Sequence, residues 1–137
     1  MKRRRILWAL VALWLLLIWG QSFLNADLSK AESGRLFLFL RQFLPRLTHN
    51  ITRKIAHFVE YAVLGGLFRA ALQSGKTRII ALVPLFGVLA ALLDETFQLF
   101  SAGRSGQVSD VWLDLAGFLT GYLLILLIFR KKKTRTD

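Results

Sequence analysis

The chain contains no cysteine, which excludes disulfides and thiol chemistry. Acidic residues are scarce: eight Asp and Glu stand against 19 Lys and Arg, a net charge of +11. No internal repeat or low-complexity tract occurs. The H-E-x-x-H pattern of a helix-borne zinc protease is missing. So is the G-x-S-x-G of a nucleophile elbow, and "GRSGQ" at 103–107 makes Ser105 a poor nucleophile. Without an inverted repeat, and with few helices, a transporter ranks last among the function classes.

What is present is apolar. Hydrophobic residues make up 55% of the 137 positions, and they come in long blocks rather than interrupted runs. Four segments stand out, at 6–24, 55–72, 79–100 and 111–129. Each has 18 to 22 residues, and about 20 residues of helix span a hydrocarbon core. The reading is a single all-α membrane domain of four helices covering residues 1–137. The first segment has the basic start and apolar middle of a secretory signal. Its length, its Trp8, Trp14 and Trp19, and the lack of a small-x-small site after it favour a retained helix.

The basic residues gather at segment ends, as "KRRR" at 2–5 and "RKKKTR" at 130–135. In a soluble chain such charge would suggest nucleic acid. Here it marks the cytoplasmic side and meets anionic lipid, and no nucleic-acid partner is expected. With both termini inside, 12 of the 19 Lys and Arg lie on the inner side and seven on the outer. Two basic termini require an even number of crossings, so four helices with both ends cytoplasmic are expected. In the long outer loop, Arg35, Gln42 and Arg46 fall on one side of a helical wheel. Leu36, Leu40, Phe43, Leu44 and Leu47 fall opposite. An interfacial amphipathic helix is predicted over 34–47, its run limited by Pro45.

Ionisable side chains interrupt this apolar background. An ionised group at the centre of a membrane helix costs roughly 2.5–3.5 kcal/mol on insertion scales. His57, Glu60, Asp94, Glu95 and Asp114 all fall within or near the spans. At 100° per residue, Arg53, Lys54, His57, Glu60 and Tyr61 lie within about 120° of one helix face. Asp94 stacks on Gln98, and Asp110 on Asp114. Gly87 and Ala91 continue the first stripe, Gly117 and Gly121 the second, as close-contact surfaces. The expected topology brings all three stripes to the same depth near the outer face. The loop "SAGRSGQVSD" adds Arg104 there.

At these residues the chain resembles the VanZ-like family. The resemblance is carried by "RKIAHFVEYAVLG" (53–65), "DETFQ" (94–98), "GR" (103–104) and the spacing of Asp110, Gly117 and Gly121. It covers roughly residues 50–125, and the first segment matches only as a generic apolar helix. It implies a small multi-helix protein of the bacterial cytoplasmic membrane, with a namesake linked to low-level teicoplanin resistance. Matched by position, the family's polar residues are Lys54, His57, Glu60, Tyr61, Asp94, Glu95, Gln98, Arg104 and Asp110. Position 114 holds Asp where many relatives have Asn, which suits a hydrogen-bonding role.

Three readings follow for the polar cluster. As a binding site, it would hold the head group of a lipid-linked cell-wall precursor or a glycopeptide at the outer leaflet. Arg53, Lys54 and Arg104 would contact phosphate or carboxylate, Glu60, Asp94 and Gln98 would accept hydrogen bonds from sugar or amide groups, and Tyr61, Asp110 and Asp114 would lie beside them. As an enzyme, His57, Glu60, Asp94 and Glu95 would supply acid–base chemistry for a hydrolase or transferase acting on a lipid-linked cell-envelope substrate. As interhelical glue, the same groups would only pair with one another. No cofactor is expected. A metal on His57, Glu60, Asp94 and Glu95 is the less favoured reading, because there is one usable histidine and no ligand spacing. His49 reads as exposed in the outer loop. The sequence sets no oligomeric state.

Overall fold

The computed structural model describes residues 2–23, 34, 37–39, 41–43, 48–72, 82–102 and 106–133. Four long helices make up the described fold: α1 (Lys2–Ser22), α2 (His49–Leu72), α3 (Val83–Leu99) and α4 (Val108–Lys133). No strand occurs among the described residues.

Local chemistry sets several helix ends. Thr48 caps α2, its Oγ1 accepting the Ile51 N–H at 3.3 Å. This starts α2 six residues before the expected span, so Arg53 and Lys54 ride on helix rather than loop. Pro84 sits in the first turn of α3, where its missing N–H costs nothing. Asp110 lies in the first turn of α4 and Arg69 in the last turn of α2, each matched to the helix dipole.

Of these helices, Lys2–Ser22, His49–Leu72 and the Val108–Phe129 part of α4 are long and apolar enough to cross a membrane. The 17 described residues of α3 rise about 26 Å at 1.5 Å each. The expected start of that segment, at 79–81, lies outside the described residues.

Packing is inverted relative to a soluble domain. Leu13, Leu16, Leu85, Leu89, Leu123 and Leu127 are exposed, whereas Asp94, Glu95, Gln98, Asp110 and Asp114 are buried. A belt of outward leucines around an ionisable interior is the surface of a membrane protein.

Helix α4 packs against α2 and α3, and α1 closes the other side against the same two helices. The apolar core between them holds Val11, Ile18, Leu64, Phe68, Ala91, Phe118 and Tyr122. Phe68 stacks on Phe86 at 4.3 Å and meets Trp8 edge-on at 5.5 Å. The α2–α4 seam is set by glycines. Cβ atoms at Gly117 and Gly121 would run into the backbone of Phe58 and Ala62, and one at Gly65 into Phe118. The close-contact surface expected at 117 and 121 is therefore formed, with α2 as its partner.

Only residues 34, 37–39 and 41–43 of the predicted outer-loop helix are described, and 34, 37–39 and 41 are helical. Phe37 is buried and stacks on His49 at 3.8 Å. Leu38, Phe39 and Phe43 are exposed. Arg35, Leu36, Leu40, Leu44, Arg46 and Leu47 lie outside the described residues.

Candidate functional site

The polar residues meet at one end of the helices. Ser22 near the end of α1, His57 near the start of α2, Asp94 near the end of α3 and Asp114 near the start of α4 lie against one another. Adjacent helices in this set therefore alternate in direction, and both ends of the described chain point away from the cluster. His57 lies eight residues into α2 and Asp114 six into α4, which is about 12 Å and 9 Å along the helix axes.

At the floor, Asp94 and Asp114 are both 0% exposed. His57 Nδ1 sits between them, 3.6 Å from Asp94 Oδ2 and 3.8 Å from Asp114 Oδ1. Asp94 accepts hydrogen bonds from Ser22 Oγ and, at 3.2 Å, from Gln98 Nε2. Asp114 differs: neither of its carboxylate oxygens has a hydrogen-bond partner among the described residues. Leaving a buried polar oxygen without a donor costs about 1–3 kcal/mol, and more for a charged one.

One side of the floor is braced by Glu95. It accepts from Gln98 Nε2 at 3.2 Å and from the Gln107 backbone N–H at 2.6 Å. The second bond fixes the α3–α4 loop to α3. Ser101 Oγ donates to the Ser22 carbonyl at 2.6 Å and ties α1 to the same loop.

Above the floor, cations form a rim. Lys54 Nζ lies 2.5 Å from Asp110 Oδ1, and Arg53 lies 3.7 Å from Asp110 Oδ2. Side-chain exposure falls from 40% at Lys54 through 27% at Arg53 and 15% at His57 to 0% at Asp94. Polar groups thus descend stepwise from solvent into the interior.

Tyr61 is fully buried one turn below His57 and donates to the Ala90 carbonyl at 3.1 Å. It bridges α2 to α3 rather than opening onto the rim. Glu60 is half-buried on α2. It lies within electrostatic reach of Asp114 but outside the His57, Asp94 and Asp114 group. Arg104 is outside the described residues. His49, expected in the outer loop, is instead the first residue of α2; it is exposed and stacks on Phe37.

Helix α1 contributes more than its uniform apolarity foretold. Trp14 Nε1 donates to the Glu60 carbonyl at 2.9 Å, and Trp19 Nε1 to the Ala90 carbonyl at 3.2 Å. Ser22 reaches Asp94. The signal available in the sequence was the indoles themselves, because a buried Trp N–H needs an acceptor.

Neither a curated protein nor a solved structure matches the chain. The profile of the VanZ/LLP1 family matches residues 7–130, nearly the full length and including α1. With its polar cluster carried on the segments that bear the resemblance, the chain belongs to the VanZ/LLP1 family.

Proposed function

We propose that this protein is a single-domain four-helix bundle of the bacterial cytoplasmic membrane, both termini cytoplasmic, whose polar end recognises a head group at the outer leaflet. The fall in exposure from Lys54 to Asp94 carries this reading. A membrane protein that needed only interhelical glue would gain nothing from a graded opening to solvent. Lys54 and Arg53, already held by Asp110, would contact phosphate or carboxylate. Gln98, Asp110 and Asp114 would bind sugar or amide groups, with Arg104 from the adjoining loop. The ligand class is a lipid-linked cell-wall precursor or the lipid-bearing end of a glycopeptide. Binding of this kind would lower susceptibility to glycopeptides such as teicoplanin.

The test uses the full chain in nanodiscs with a lipid-linked cell-wall precursor as probe. Saturable binding that weakens at least tenfold in Lys54→Ala is expected. Binding indistinguishable from empty nanodiscs overturns the reading.

One observation favours a second reading. His57 Nδ1 lies near two buried carboxylates, an arrangement that sets an imidazole beside two groups able to exchange a proton with it. The protein would then be a hydrolase or transferase acting on the same lipid-linked substrate. Mass spectrometry of the recovered precursor separates the two. An altered product favours the enzyme, and saturable binding without turnover favours the binder.

A further inference from the structure

Three side chains from three helices aim ligand atoms at one buried point. His57, Asp94 and Asp114 each offer one atom, and the three atoms lie within 4.8 Å of one another. The two His57 separations, 3.6 and 3.8 Å, are longer than a direct N–H···O bond of about 2.7–3.2 Å. They are close to the spacing of ligands that share an ion. Tetrahedral ligands at about 2.1 Å from a metal lie about 3.4 Å apart. His57 stands within a few tenths of an ångström of that spacing from both carboxylates, and the two carboxylates, within 4.8 Å of each other, would draw together by up to about 1.4 Å on binding.

Asp114 supplies an independent observation. It is 0% exposed, faces His57, and neither of its oxygens accepts a hydrogen bond among the described residues. A buried carboxylate left in that state needs a cation or a proton. The basic side chains nearest the rim, Lys54 and Arg53, are engaged by Asp110.

We infer that His57, Asp94 and Asp114 form a binding site for a divalent transition cation of the Zn²⁺ or Mn²⁺ class. One imidazole with two carboxylates suits these ions better than Mg²⁺, which favours all-oxygen shells. Ser22 and Gln98 hydrogen-bond Asp94 and would orient it as a ligand. The set differs from the sequence expectation by using Asp114 in place of Glu60 and Glu95. It shares Asp114 with the head-group reading but stands on the floor geometry alone.

The experiment takes the full chain in detergent, strips it with chelator, and titrates it with Zn²⁺ or with Mg²⁺. Bound metal is counted after gel filtration. About one Zn²⁺ per chain is expected, with at least tenfold weaker binding in His57→Gln and in Asp114→Asn. Thr120→Ala, on the exposed face of α4, should bind as the wild type does. X-ray absorption at the zinc edge of the loaded wild-type chain reads the ligand set without any variant. One imidazole with oxygen ligands is expected. The inference is overturned if no Zn²⁺ is retained, if Mg²⁺ alone binds, if both variants retain Zn²⁺ at wild-type affinity, or if the edge spectrum shows no imidazole. Because the readout is metal content, its failure is distinct from failure to bind a lipid-linked precursor.

Discussion

Gly121 lies so close to Ala62 that a Cβ at position 121 would overlap the Ala62 carbonyl oxygen. Both atoms belong to helix backbones, so neither can rotate aside. Substitution must therefore push α2 and α4 apart and open the floor of the site. Gly121→Ala is expected to cost about 1–3 kcal/mol and to lower the melting temperature in detergent by several degrees. Gly20, with nothing within 4 Å of its would-be Cβ, is the matched control. Gly20→Ala should leave the melting temperature unchanged or slightly raised. Equal effects at the two positions would refute the close-contact seam.

Tyr61 joins α2 to α3 through its bond to the Ala90 carbonyl. Tyr61→Phe keeps the ring and removes the hydroxyl. Membrane hydrogen bonds of this kind average about 0.6 kcal/mol, so a loss of about 0.5–1.5 kcal/mol is expected. Chemical denaturation in mixed micelles measures it. A stability loss beyond that range would mean the hydroxyl serves more than this one acceptor.

Ser22 is the α1 donor to Asp94. Ser22→Ala leaves Asp94 0% exposed with one hydrogen bond fewer. A loss of about 1–3 kcal/mol is expected. Limited proteolysis should show α1 released first, because the substitution removes the Ser22 side chain's tie to Asp94 and leaves the end of α1 held by the Ser101 bond to its carbonyl. No change in either measurement would remove α1 from the site.

The Lys54–Asp110 pair sits where solvent screens it. With 40% of the Lys54 side chain exposed, the pair should add less than about 1 kcal/mol to stability. Lys54→Ala should therefore leave the melting temperature within a few degrees of the wild type. A large drop in stability would make the rim structural instead of ligand-facing.

Orientation is checked apart from the site. A fluorescent protein fused after Asp137 should fold and fluoresce, because the chain carries more Lys and Arg at its two ends than around the polar cluster. A dark but periplasm-active phosphatase fusion at the same point would reverse the topology.

Much of this architecture is written locally. Apolar blocks of 18 to 22 residues become helices in a bilayer, because only helices and closed barrels satisfy every backbone N–H and C=O there and barrel strands are about half that length. That reasoning gives the all-helical class from residues such as Ile6–Leu24 without any structure. The 100° helical step likewise placed Lys54, His57 and Tyr61 on one stripe of α2, and Asp110 above Asp114 on α4. Gly117 and Gly121 declared a contact surface by having no side chain to bury.

Rotation and partnership were not local. The helical period fixes a residue's angle about its own axis, but not the angle at which a neighbouring helix presents its stripe. Only packing decided that Asp114, not Glu60, joins His57 and Asp94, and that Tyr61 turns inward to Ala90. Only packing gave Ser22, Trp14 and Trp19 their acceptors. Those bonds join residues 46 to 72 positions apart in the chain. The sequence by itself determined what had to be helical and which groups would be expensive to bury. The tertiary structure decided which of those groups lie against one another, because that depends on helix rotation and separation set by glycine contacts between distant segments.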